Sequence, residues 1–234
     1  MNQFILLYLA APLQSWGNDS RFDARRTLHF PTKSGIFGML LAASGDSGPQ
    51  EELLAQMNSG AMQVISFQEK QPLLTDFHMV GSGYNPTDDW EKLLIPKTSE
   101  GKSAVGGGAK LTYRDYLTNC SFAVVLEFSK DLATKFATAL QHPVYTPYLG
   151  RKCCVPTDMI YQGSFDSAAE AEAAWQKLAG QRNLKAAFEV YEVTDPNTPE
   201  SQIIYDVPVR FGTHKLYRER IVCCKKFPAT LPEA

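Results

Sequence analysis

Residues 145–156 read YTPYLGRKCCVP, which places two tyrosines, a glycine, an Arg-Lys pair and two prolines in one short stretch. Pro147 lacks a backbone donor and fixes its own φ, which argues against a long helix here. Gly150 permits a positive φ or a close backbone approach. Arg151 and Lys152 supply charge, and Tyr145 and Tyr148 supply flat faces. Aromatic faces beside cations are what a single-stranded nucleic-acid site uses. The same composition suits a surface turn between two strands, and the stretch alone does not separate the two. Trp16, beside Gln14 and Gly17, is similarly open: its indole stacks a base or caps the core under the first strand. Arg114 lies in the run TYRDY at 112–116. On a strand it faces away from Tyr113 and Asp115. Its guanidinium either pairs with Asp115 or a neighbour, or clamps a phosphate with its forked donors.

Other chemistries find less support. His29, His78, His142 and His214 include no pair at i, i+4, and no H-E-x-x-H occurs. The five cysteines are Cys120, Cys153, Cys154, Cys223 and Cys224. Their number is odd and no C-x-x-C occurs, so zinc is not expected, and reduced thiols in the cytosol are. The run GGGAK at 106–110 is followed by Leu111, so it lacks phosphate-loop spacing and reads as a hairpin tip. No G-x-S-x-G is present. A metal-independent ribonuclease needs an acid and a base beside the attacking 2′-hydroxyl. Tyr113, Lys110 and His78 have suitable types, but their spacing does not favour them. No catalytic residue, metal or cofactor is expected.

The chain has 234 residues, 44% of them hydrophobic and 21% charged, enough for a core of ordinary size. The formal net charge of −2 advertises no polyanion partner. It hides basic stretches: Lys92, Lys97, Lys102, Lys110 and Arg114 against Glu100, then Arg210, Lys215, Arg218, Arg220, Lys225 and Lys226 against Glu219. The apolar run at 4–11 has no basic flank and is too short to span a bilayer, so it reads as a buried strand in a cytoplasmic protein with no membrane role. A helix is expected over 36–43, capped by Thr32 or Ser34, with early amides suited to a phosphate. A second helical piece covers 51–57. Strands are expected at 62–67, 74–80, 112–116 and 121–128, and helices at 132–140 and 167–178, the last capped by Asp166 or Ser167. Three strand candidates close the chain at 187–193, 203–211 and 216–224. Residues 81–110 are loop-like and basic, a length that is usually functional or mobile. The order β, α, β, β, then β, α, suits a ferredoxin-like or split βαβ core.

Four pieces in order carry a family resemblance: APLQSWG at 11–17, FPTKSGIFGML starting at Phe30, YRDYL at 113–117 and YTPYLGRK at 145–152. Together they resemble the Cas-five family of the type I-E CRISPR surveillance complex, Cascade, within the RAMP superfamily. The resemblance implies an α+β fold. Its core would be modified ferredoxin-like and RRM-related over 1–160, with a protruding β-hairpin thumb at about 81–110. A helix and a β-rich part would follow over 161–234. It implies a non-catalytic, antiviral RNA-binding subunit that grips the 5′ handle of the crRNA and caps the backbone filament. The partners implied are the Cascade backbone subunit, the large PAM-reading subunit and, through the assembled complex, target DNA. Carried over by motif, the RNA contacts are Gln14, Trp16, Lys33, Ser34, Arg114, Tyr148, Leu149, Gly150, Arg151 and Lys152, with Cys153 and Cys154 packed behind. The thumb would carry Lys97, Lys102, Gly106, Gly107, Gly108 and Lys110. Relatives in another subtype cut precursor RNA with a Tyr/Lys/His set. No matching motif occurs here, so the holder is the leading reading and a metal-independent endoribonuclease acting on repeat RNA is the alternative.

Overall fold

A computed structural model describes residues 2–17, 23–68, 72–80, 87, 97–102 and 110–228. The first strand, β1 (Asn2–Gln14), explains its own sequence. Ile5, Leu7 and Leu9 enter one core, and Leu6 and Tyr8 enter a second on the opposite face. A strand covered on both faces reads as a continuous apolar run rather than an alternation. Each such side chain contributes roughly 1.5–3 kcal/mol when fully buried.

Among the described residues the strands form one sheet. Its path is β6-β1-β5-β3-β7-β9-β8, made of β3 (Met62–Ser66), β5 (Lys110–Ser129), β6 (Tyr161–Phe165), β7 (Phe188–Val193), β8 (Ser201–Arg210) and β9 (Leu216–Lys226) beside β1. All of these pairings are antiparallel. Two further strands join β5 near its start: β2 (Ala24–Arg25), parallel, and β4 (Leu73–Val80), antiparallel. Helices α1 (Lys33–Ser44), α2 (Glu51–Met57) and α3 (Lys130–Gln141) cover one face through Ile36, Phe37, Leu54, Met57, Leu132 and Phe136. Helix α4 (Ala168–Gln181) covers the other through Ala171, Trp175 and Leu178. The α1 cap is Thr32, whose side chain accepts from the Gly35 amide, and the α4 cap is Ser167, which accepts from the Glu170 amide. No helix among the described residues is long and apolar enough to cross a membrane.

Two expectations need correction. The separate strands at 112–116 and 121–128 are one strand, β5, which passes through Asn119 at a φ of 51°. Asn tolerates this left-handed conformation better than most residues. Neighbours along β5, first β4 and then β1 and β3, keep it extended on either side. The second correction is β6, which the sequence hid. Its residues YQGSF include Gly163, and none is fully buried. It is an edge strand held by backbone pairing to β1, with Phe4 opposite Phe165. The domain boundary expected near residue 160 falls just before this strand. The sheet also continues past it from β3 to β7, with Val64 opposite Val190.

Candidate nucleic-acid interface

The end of β1, the start of α1 and the loop at 145–156 meet at one place. Gly150 makes the meeting possible. Its φ is 93°, and a Cβ there would collide with the Ser15 carbonyl oxygen, so both roles open to this glycine are used together. The Ser15 amide donates to the Leu149 carbonyl at 3.1 Å. The loop closes on itself where the Leu149 amide donates to the Cys154 carbonyl and the Cys154 amide to the Arg151 carbonyl, both at 2.8 Å. Gly35 performs the matching service for α1. A Cβ on it would stand 2.9 Å from both the Trp16 ring and the Thr32 hydroxyl oxygen, so only a glycine lets α1 rest against Trp16.

Several residues expected to contact RNA have their side chains built into the frame of the fold. Gln14 is fully buried, and its amide donates to the carbonyls of Cys120 at 2.7 Å and Leu9 at 3.2 Å. Trp16 is 1% exposed, and its indole N–H donates to Gln14 Oε1 at 3.1 Å. Leu149 is buried in the α1-side core. Lys33 is buried too; its Nζ lies 3.4 Å from Glu192, and burial holds its pKa below the ordinary lysine value despite that carboxylate. Its backbone amide donates to Asp206 at 2.7 Å, and Arg220 grips Asp206 through two hydrogen bonds of 2.7 and 2.8 Å. The first turn of α1 therefore already holds a carboxylate where a phosphate was expected.

Arg151 is a strut before it is anything else. Its guanidinium donates to the Arg25 carbonyl at 2.8 Å and the Asp115 carbonyl at 3.2 Å, and it lies over the Tyr116 ring at 4.5 Å. Cys154 is buried behind the loop, and burial pushes its thiol up to about 11. Cys153, expected beside it as packing, is exposed, and its thiol donates to the Tyr116 hydroxyl at 3.6 Å.

What faces outward is a ridge and a cleft. Arg25 on β2 stands opposite Arg114 on β5, with Arg26 next along and Arg151 and Lys152 adjoining through the Arg151 strut. Among the described residues none of these cations forms a salt bridge. Arg26 and Lys152 are exposed, and Arg25, Arg114 and Arg151 are half-buried. Arg25 and Arg26 were missed in the sequence, although their adjacency was a signal. Beside the ridge is a cleft of about 340 Å³, lined by Ser15, Trp16, Ser34, Gly35, Tyr148 and Gly150 from the expected motifs. Phe211, Lys215 and Tyr217, from the β8–β9 turn, also line it and were missed. The basic run at 210–226 pointed to that turn, but nothing in the sequence placed it beside residue 150.

Of the residues expected on a thumb, Gly106, Gly107 and Gly108 lie outside the described residues. Lys97 and Lys102 are exposed, and Lys102 pairs with Glu100 at 3.3 Å. Lys110 opens β5 opposite Val80, the last residue of β4. The β4–β5 ribbon thus leads toward the expected segment and carries an apolar outer row, with Phe77 at 55% and Met79 at 56% exposure beside Tyr113 and Leu111.

Comparison with known proteins gives one family. The family model described as CRISPR-associated protein (Cas_Cas5) matches residues 4–223. The chain is 27% identical over 184 residues to the CRISPR system Cascade subunit CasD of Escherichia coli (strain K12), covering 74% of this chain and 76% of that protein. Among solved structures it is similar to a chain of a CRISPR RNA-guided surveillance complex, with a TM-score of 0.72 and 26% identity over 97% of this chain and 91% of that one. A second, described as a crystal structure of a Cas protein, has a TM-score of 0.64 and 26% identity, covering 96% of this chain and 95% of that one.

Proposed function

The chain belongs to the Cas5 family of CRISPR-associated proteins, and from that premise we propose that it is a non-catalytic subunit of a type I-E Cascade complex that grips the 5′ handle of the crRNA. The core is read as ferredoxin-like: β1-α1-β3-β5-α3-β6, with sheet order β6-β1-β5-β3, is the split βαβ pattern of RRM-related RAMP proteins. The observation that carries the RNA reading is the ridge of Arg25, Arg26, Arg114, Arg151 and Lys152, which forms no salt bridge among the described residues, although Asp76 stands opposite Arg114, and which is set beside an aromatic cleft. A chain of near-zero net charge that groups five cations on one ridge is suited to a polyanion despite its total. Arg151 holds the loop in place while its charge adds to the ridge, and Lys152 is free to meet a phosphate. The β4–β5 ribbon is the stem of the thumb and docks on the backbone subunit. The chain caps the filament next to the large subunit and meets target DNA through the assembled, cytoplasmic complex.

The test is binding of a single-stranded handle RNA by the purified chain across a salt series. Each phosphate contact removed should flatten the slope of log affinity against log salt by about 0.7. Lys152→Ala and Arg114→Ala should each do so, and the double variant should do so additively. Slopes equal to wild type would count against the ridge. Incubation with a repeat hairpin in EDTA completes the test, since specific cleavage would replace the holder with an endoribonuclease.

A further inference from the structure

The chain has two pairs of adjacent cysteines, and the fold treats them differently. Cys223 and Cys224 lie on β9, where successive side chains point to opposite faces. The Cys223 thiol donates to the Pro199 carbonyl at 3.5 Å, and Cys224 packs against the α1-side core. Cys153 and Cys154 lie instead in the turn that closes the 145–156 loop, where the Cys154 amide donates to the Arg151 carbonyl at 2.8 Å. There the two thiols come within hydrogen-bonding reach of each other. Cys153 is exposed next to Lys152, its thiol 3.6 Å from the Tyr116 hydroxyl, and Cys154 is buried behind it. Burial pushes the Cys154 thiol up to about 11, so Cys153 is the sulfur that meets a reagent first.

We propose that Cys153 and Cys154 form a reversible redox site: a low-molecular-weight disulfide oxidises them to a disulfide that loosens the loop carrying Arg151 and Lys152. The Cys153 thiolate attacks one sulfur of the small disulfide, whose S–S bond breaks and releases one thiolate. Cys154 then loses its proton to that thiolate and attacks the Cys153 sulfur. The mixed disulfide breaks, and the second small thiolate leaves and takes the proton that Cys153 lost. Two electrons pass from the protein pair to the small disulfide. Consecutive Cα atoms lie about 3.8 Å apart, closer than the roughly 4.4–6.8 Å of ordinary disulfides, so this bond is strained and readily reduced. Bonds of that kind are the labile, regulatory ones. It stays open in a reducing compartment and closes under an excess of oxidant. Closing it takes the Cys153 sulfur off the Tyr116 hydroxyl and the Cys154 sulfur out of the core, and Cys154 takes part in both backbone hydrogen bonds that close the loop. The site stands on the geometry of the turn; its consequence for RNA rests on the RNA-holding reading above.

The experiment treats the full chain with an excess of oxidised glutathione. Intact mass should show the wild-type chain lighter by two hydrogens, and peptide mapping should place the bond between Cys153 and Cys154. The oxidised chain should bind handle RNA more weakly, with a salt slope flatter by about 1.4, the loss of two phosphate contacts at about 0.7 each. Dithiothreitol should restore both mass and binding. Cys153→Ser should bind as the reduced wild type does, with or without oxidant. Cys154→Ala should stop at a glutathione adduct on Cys153, because nothing remains to displace it. Mapping of the wild-type chain together with Cys153→Ser decides the matter even if Cys154→Ala fails to fold. The site is overturned if the wild-type chain forms no bond, keeps a glutathione adduct on Cys153 or joins any other cysteines. A closed Cys153–Cys154 bond with unchanged RNA binding, where Lys152→Ala weakens it, overturns the effect on the loop and leaves the RNA-holding reading intact. If the reduced wild-type chain binds no handle RNA, that reading falls, and the mapped bond still decides the site.

Discussion

Gly150 carries more of the site than any charged residue around it. Its φ of 93° strains any residue with a side chain, and the Ser15 carbonyl occupies the space a Cβ would need. Gly150→Ala therefore has two costs: backbone strain of about 1–2 kcal/mol and loss of the Ser15–Leu149 hydrogen bond, about 1 kcal/mol. Urea unfolding should show a loss of roughly 2–3 kcal/mol, with RNA affinity falling as the loop withdraws from Ser15. Gly180→Ala supplies the opposite sign. Nothing lies near its Cβ position in α4, so it should be neutral or stabilise by up to about 1 kcal/mol. Equal stability of wild type and Gly150→Ala would remove the close approach as the device that holds the loop. Trp16 illustrates why the sequence left its role open. Whether an indole next to Gly17 stacks a base or packs inside depends on Gly35, far along the chain, and on a buried Gln14 amide waiting for its N–H.

At the scale of elements, α1 and the C-terminal strands are joined through charge. Lys33, Glu192, Asp206 and Arg220 come from α1, β7, β8 and β9, and three of the four side chains are almost fully buried. Asp206 also accepts from the first amide of α1, so one carboxylate ties a helix start to a hairpin. Buried ion pairs are poor sources of net stability, but removing one partner strands the other. Asp206→Asn should cost about 3–5 kcal/mol in urea unfolding. Asp206→Leu combined with Arg220→Met should cost less than either single change, recovering part but not all, because the Lys33 amide loses its acceptor. A single variant within about 0.5 kcal/mol of wild type would mean that α1 and the hairpin are held by packing alone. The elements themselves were largely legible. The helix at 51–57 follows from local pattern, as do the three closing strands, and local chemistry narrowed each cap to two candidates, of which Thr32 and Ser167 are used. β6 was not, because an edge strand held by backbone pairing needs no apolar alternation. The ion network was not, because its members are scattered and each reads as a surface charge.

At the scale of the whole molecule, the β4–β5 ribbon carries an exposed apolar surface. From Leu73 to Met79, β4 turns Leu73, Phe77 and Met79 outward, and β5 adds Leu111 and Tyr113 on the same face, all of them exposed. Among the described residues no helix covers this two-stranded ribbon, and a chain that displays such a row carries an interaction surface. In the proposed complex the occupant is the backbone subunit. In the proposed reading the ridge and the cleft serve RNA; Arg114 of the ridge neighbours Tyr113 on β5 but faces the other side of the ribbon, so the two functions separate by face. Phe77→Ser with Tyr113→Ser removes a cross-strand ring pair at 5.5 Å, worth about 1 kcal/mol or less, so the chain should stay folded and should bind handle RNA as wild type does. Reconstituted with the other subunits and crRNA, the same variant should be depleted from the assembled complex in native mass spectra. Lys152→Ala should show the reverse, weaker handle binding with assembly restored by excess RNA. Full incorporation of the serine variant would move the docking face away from the ribbon. It would leave the apolar row to a different neighbour, the large subunit, which the same spectra would reveal as a complex lacking that component alone.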